Sequence, residues 1–151
     1  MKGLEIDKAE LSASQSVYYD FWNNFIDLSE HNFEFKSNFT QHQIKTVRNY
    51  LNFNIGKSHY NLVVKLLPKK NCYCMMAYFR NKALFQHIFN TYKVQIESEI
   101  GKQMDWDMHE KKSSASFKIP MNLDEREKWN SISLDIINYF ILLRKVFIKY
   151  T

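Results

Sequence analysis

Apolar residues recur three and four positions apart at Tyr18, Phe21, Trp22, Phe25, Ile26 and Leu28. This spacing predicts a first helix over about residues 12–30, with Ser12 or Ser14 placed to cap it. Residues 31 to 44 mix His, Asn and Phe without a period and are expected to form a loop with local structure. From Val47 the period changes to two. Val47, Leu51, Phe53 and Ile55 oppose Arg48, Tyr50, Asn52 and Asn54, the signature of a strand with one face in the core. Gly56-Lys57-Ser58 marks a turn. A second strand follows over His59 to Leu67, then a turn at Pro68-Lys69-Lys70-Asn71, and a third strand over Cys72 to Phe79. Connections this short imply an antiparallel meander, because parallel neighbours need a crossover of about a dozen residues.

Helical spacing returns at Leu84, Phe85, Ile88, Phe89, Tyr92, Ile96 and Ile100, with Asn81 as cap and Gly101 as C-terminal stop. Met104, Trp106 and Met108 then alternate with Asp105, Asp107 and His109, and Ser114 to Ile119 completes a second hairpin that Pro120 closes. A last helix runs from near Asp124 to about Tyr150, with Glu125 and Glu127 early and Arg144, Lys145 and Lys149 late, as the helix dipole favours. It is apolar on two stripes. Trp129, Ile132, Ile136, Phe140, Leu143 and Phe147 make one, and Leu134, Ile137, Ile141 and Ile148 the other. One sheet covers only one stripe, so the second calls for a packed helix, the first being the natural choice, or for a partner protein. The expected fold is α+β, an antiparallel sheet of about five strands (a three-strand meander plus a second hairpin) with three helices in the order αβββαββα. Residues 1–12 read as a polar tail or linker stub and 13–151 as a single domain.

Composition adds constraints. Three glycines and two prolines are too few for a turn-dense sandwich or a flexible linker, whereas 12 Phe, 9 Tyr and 3 Trp supply bulky core and surface rings. The net charge of +5 is unevenly spread. The block from Phe35 to Ile96 holds Lys36, Lys45, Arg48, Lys57, Lys65, Lys69, Lys70, Arg80, Lys82 and Lys93 and no Asp or Glu. Such a block attracts nucleic acid or another anionic partner, or it neutralises acidic helices of the same fold or an acidic neighbouring domain. Cys72 and Cys74, two apart on a strand, face one side and are badly placed for a mutual disulfide. With no apolar leader and no long uncharged stretch, the expectation is a cytoplasmic protein that makes no membrane contact.

The run Asn52-Phe53-Asn54-Ile55-Gly56-Lys57-Ser58 before a strand, Tyr78-Phe79, Phe85, Ile96-Glu97-Ser98-Glu99-Ile100-Gly101, Asp105-Trp106 and the terminal amphipathic helix together resemble a bacterial family, domain of unknown function 4268. The resemblance extends from about Tyr18 and Trp22 to the C-terminus. Family members tend to carry glycine after the serine of the turn, where this chain has His59. The family's domain often follows a region resembling a PD-(D/E)XK restriction nuclease, so the resemblance implies DNA-related or defence work without supplying a mechanism. Whether this chain stands alone or is excised from such a protein stays open.

Several constellations bear on chemistry. Gly56-Lys57-Ser58 looks like the end of a phosphate-binding loop, but Leu51 stands where its first glycine belongs and a strand follows, so a hairpin turn is expected. The second and third strands lack the carboxylates with which PD-(D/E)XK enzymes hold a hard cation. Asp105, Asp107 and His109, with Glu110 beside them, share one strand face and offer a metal site for a nuclease, or simply a solvated edge. Cys72 and Cys74 lack the second pair that makes zinc spacing persuasive and read as buried small residues.

The most specific surface is the polar side of the first hairpin. It carries Arg48, Tyr50, Asn52 and Asn54 on one strand and His59, Asn61 and Lys65 on the next, bracketed by Lys57, Lys69 and Lys70. Cations neutralise phosphate, a ring stacks a base and amides bond base edges. The alternative is a sheet face covered by a helix. The resulting reading is a non-catalytic module for DNA or RNA, of the accessory or targeting kind in a restriction or defence nuclease system, with no cofactor. The other reading is an interaction module that docks a nuclease domain or a second copy through Leu134, Ile137, Ile141 and Ile148.

Overall fold

The computed structural model describes residues 8–39, 46–55 and 60–151. It contains four helices, α1 (Ala13–Glu30), α2 (Phe33–Asn38), α3 (Lys82–Ile100) and α4 (Trp129–Tyr150), and five strands, β1 (Tyr50–Asn54), β2 (Tyr60–Leu67), β3 (Cys72–Phe79), β4 (Asp105–Met108) and β5 (Ser113–Pro120). The strands form one antiparallel sheet in the order β1-β2-β3-β5-β4. The α+β architecture expected from the alternation is therefore present, with β5 rather than β4 joining the meander.

Local chemistry sets the helix ends. Ser12 caps α1 in a reciprocal box with Gln15, each side chain bonding the other's backbone N–H, which satisfies two donors that helix geometry leaves without partners. Asn81 Oδ1 accepts from Leu84 N at 3.0 Å to start α3, and Gly101, at φ 76°, ends it in the left-handed conformation that glycine adopts without strain. Asn71 takes the other left-handed position, φ 49°, after the 3₁₀ turn Pro68–Lys70.

Three expectations are corrected. The aperiodic segment after α1 contains a fourth helix, α2, capped by Asn32 through Phe35 N; six residues are too few to reveal a helical period. The first strand begins at Tyr50 rather than near Val47, because the Arg48 carbonyl instead accepts the Trp22 indole N–H at 2.7 Å. The last α-helix starts at Trp129 after a separate 3₁₀ turn at Arg126–Lys128, so Glu125 and Glu127 precede it instead of filling its first turn.

The core lies between the sheet and the helices. Leu62, Val64 and Leu66 of β2, Tyr73, Met75, Ala77 and Phe79 of β3, and Ala115 and Phe117 of β5 are buried on the helix side. Phe140 of α4 meets Phe25, Phe35, Phe39 and Phe53 with ring centroids 5.1–6.5 Å apart. Phe147 sits against Tyr60 and Phe79, and Phe85 of α3 packs on Phe79 and Trp106. Tilted and edge-to-face ring pairs of this kind add to the apolar area they bury. Helix α1 packs on α4 through Phe21 against Trp129, Phe25 against Phe140 and Asn24, which reaches Ser133 at 3.5 Å, and of the second stripe of α4 only Ile137 is fully buried.

Glu97 joins α3 to the sheet. Its Oε2 accepts from Met104 N at 2.7 Å and from Trp106 Nε1 at 3.3 Å, which orients the turn into β4. Glu99 of the same helix binds Lys149 and Tyr150 of α4. At the other end, Asp20 of α1 pairs with Lys8 at 2.6 Å and Arg126 at 3.3 Å.

Glu97→Ala leaves a backbone N–H and an indole N–H without their acceptor and is expected to cost about 1–3 kcal/mol in urea unfolding; Glu97→Gln, which keeps an oxygen there, loses less. The Lys8 hydrogen bond, and then Arg126, outweigh partial burial and hold the Asp20 carboxyl below its ordinary value. A lowered folded pKa gives stability that is complete above the unfolded value and is lost as pH falls through the folded one. The stability advantage of the wild type over Asp20→Asn is therefore expected at neutral pH and to shrink on acidification below about pH 4, as read by thermal unfolding across pH.

Candidate nucleic-acid interface

Alternation along each strand sends one set of side chains to the helices and the other to the opposite face. The register aligns that second set in rows across the sheet. Tyr50 pairs with Lys65, Lys65 with Cys74, and Cys74 with Lys118. The next row is Asn52, Val63, Met76, Ser116 and Asp105, and the third is Asn54, Asn61, Tyr78, Ser114 and Asp107. Among the described residues, the helix rings that touch the sheet do so on Phe53, Tyr60, Phe79, Trp106 and Phe117, all of the helix-facing set. Among the described residues, no helix ring packs on the polar face of the first hairpin.

Tyr50, Asn52, Asn54, Asn61 and Lys65 thus share one surface, as the alternation predicts. Asn52, Asn54 and Lys65 are exposed, Tyr50 is half-buried and Asn61 is buried among its neighbours. Arg48 donates from Nη1 to the Tyr50 hydroxyl at 3.1 Å and holds its guanidinium 5.7 Å from the ring centroid. The same residue's carbonyl is fixed by Trp22, so the core sets the position from which this cation projects. Lys69 and Lys70 are exposed in the 3₁₀ turn at the end of β2. Lys57 and His59, and with them the Gly56-Lys57-Ser58 turn, lie outside the described residues.

A groove of about 560 Å³ opens on this face, with Lys65, Lys70 and Lys118 around it and Cys74 and Met76 in its floor. Among the described residues, none of these three lysines forms an ion pair. Lys118 and the serines Ser114 and Ser116 were not singled out from the sequence. Their alternation with Ala115, Phe117 and Ile119 is visible in the chain, but only the pairing of β5 beside β3 brings them next to the hairpin.

The acidic row lies on the same face. Asp105 and Asp107 are exposed at the β4 edge, and Asp107 pairs with His109 at 3.0 Å. Glu110 points elsewhere, to Lys82 at 3.6 Å. Among the described residues, no group of three His, Cys, Asp or Glu side chains is arranged to hold a metal ion. Met108, expected in the core beside Trp106, is exposed, because β4 ends there at the margin of the sheet.

Both cysteines are free and buried on this face. Burial outweighs the Ser116 hydrogen bond and the nearby Lys118 and Lys65 and raises the Cys74 thiol above its ordinary value. A raised value is the opposite of what a nucleophilic thiol needs, so Cys74 is not placed as one. The second stripe of α4 does not form one surface: Ile137 is buried in the core, Ile141 is half-buried, and Leu134 and Ile148, both exposed, stand about 21 Å apart along the axis.

The model of the family described as Domain of unknown function (DUF4268) matches residues 17–151. The chain belongs to this family. No curated protein and no solved structure matches it. The DUF4268 match begins within α1 and covers every later element through α4, so the open face, the groove and the Glu97 junction all lie within the family's domain. The run Ile96-Glu97-Ser98-Glu99-Ile100-Gly101, which lies within the matched DUF4268 region, holds the fold together: Ile96 and Ile100 are buried, Glu97 binds the start of β4 and the Trp106 ring, and Gly101 ends α3.

With both thiols buried and that of Cys74 held protonated, iodoacetamide at pH 8 is expected to modify the native protein slowly and the urea-unfolded protein at both cysteines rapidly. Intact-mass measurement over time checks this.

Proposed function

We propose that this DUF4268 domain is a nucleic-acid-binding module whose contact surface is the open face of the sheet, and that it acts by binding rather than by catalysis. The observation that carries the reading is the register of the sheet, which gathers Tyr50, Lys65 and Lys118 with the amides of Asn52 and Asn54 on a face opposite the helices, with Arg48 hydrogen-bonded to the Tyr50 hydroxyl beside them. Unpaired cations on such a face release counterions when they meet phosphate, and that release supplies most of the affinity. Amides and an aromatic ring add the contacts by which sheets engage bases. The acid-free block from Phe35 to Ile96 supports the same reading, since it supplies β1 to β3 with cations and no competing carboxylate. The resemblance to a family found beside restriction-type nucleases fits a targeting or accessory role, the module holding nucleic acid for a catalytic neighbour.

Fluorescence anisotropy of labelled oligonucleotides, single-stranded and duplex, tests this at two salt concentrations. The expected result is salt-sensitive binding, weakened by Arg48→Ala and by Lys65→Ala to a similar degree on every sequence, with the salt slope reduced by about one for each. No binding of any oligonucleotide at low salt overturns the proposal.

A further inference from the structure

The open face has a direction. Two of its lysines, Lys65 and Lys118, lie on the row Tyr50, Lys65, Cys74 and Lys118, with Arg48 beside Tyr50 at one end and Lys70 at the rim of the groove. The two acids, Asp105 and Asp107, end the other two rows. β4 starts at Asp105, opposite Ser116, so no β4 residue pairs with Lys118 and the paired part of the cationic row ends on β5. From these placements we infer that the row is the track of a single DNA strand lying across the β-strands, its phosphates on Arg48, Lys65 and Lys118 and one base against Tyr50. The inference rests on the nucleic-acid reading above and specifies its ligand.

Three physical arguments select that ligand. A face of five strands is about 24 Å wide at the usual strand spacing, whereas a duplex major groove of about 12 Å admits a helix or a two-stranded ribbon. The sheet cannot enter it to read bases. A single strand lies flat on such a face and offers its bases to the ring of Tyr50, which Arg48 already holds in place. Ladder steps of about 5 Å put Lys65 and Lys118 about 10 Å apart and Tyr50 about 15 Å from Lys118, a linear series suited to an extended backbone. The acids repel phosphate from the β4 side and confine the backbone to this row.

DNA is favoured over RNA by the floor. Between the two lysines lies the buried Cys74, with Val63 and Met76 in the next row. These three side chains offer a ribose 2′-hydroxyl no strong partner, the Ser116 hydroxyl beside them being engaged with the Cys74 thiol, and a hydroxyl desolvated without one is costly.

The test is anisotropy at low salt with labelled oligothymidylate, oligouridylate and a mixed-sequence duplex. Oligothymidylate is expected to bind tightest, by about tenfold over the others. Tyr50→Ala is expected to lose about tenfold or more and Lys118→Ala to weaken binding, while Asp105→Asn tightens it, a gain that a misfolded variant cannot produce. Equal or tighter binding of the duplex, or indifference to both Lys118→Ala and Asp105→Asn, overturns the track while the nucleic-acid reading stands. Tighter binding of oligouridylate overturns the choice of DNA. No binding of any probe overturns both.

Discussion

A sheet that takes its helices on one side must divide every strand between two solvents. The helix-facing set is complete on β2 and β3, where Leu62, Val64, Leu66, Tyr73, Met75, Ala77 and Phe79 are within about one percent of complete burial, while on the other face of β2 Lys65 stands in water. A slip of one residue in the β1–β2 register would exchange these sets, placing Lys65 under α4 and the Leu and Val side chains outside. The apolar layer therefore fixes the polar rows as firmly as it fixes itself, and the order of Tyr50, Lys65, Cys74 and Lys118 is a by-product of core packing.

The family pattern is explained by the same architecture. Glu97 satisfies Met104 N and the Trp106 indole, Glu99 ties α3 to the last turn of α4, and Gly101 supplies the left-handed stop between them. Glu97 and Glu99 each tie α3 to another element, and Gly101 sets where α3 ends. Such residues mark a fold rather than a reaction, which is why a family match over residues 17–151 delivers the architecture plainly and the chemistry only through the surface that the architecture presents.

Much of this was legible in the chain. The period of two in β1 to β3, the Asn81 and Gly101 boundaries of α3 and the sharing of one face by Tyr50, Asn52, Asn54, Asn61 and Lys65 follow from local rules, because alternation and capping act within a few residues. What escaped depends on long-range placement. α2 is only six residues long and is held by stacking of Phe35 on Phe39 and contacts with Phe53 and Phe140. Lys118 joins the cationic row only because β5 inserts between β3 and β4. Ile137 looked like part of a free stripe because the sequence does not state which helix face α1 will cover.

The position of α4 in the chain has a kinetic side. Its Phe140 gathers rings from α1, α2 and β1, its Phe147 those of β2 and β3, and its Tyr139 packs on Phe117 of β5. On a ribosome, all five strands emerge before this helix does. Until then the inner faces of β2 and β3 have little to pack against, and strands with bare apolar faces are what nascent chains lose to aggregation. The domain therefore gains its core in one late collapse, timed by the arrival of its most C-terminal helix.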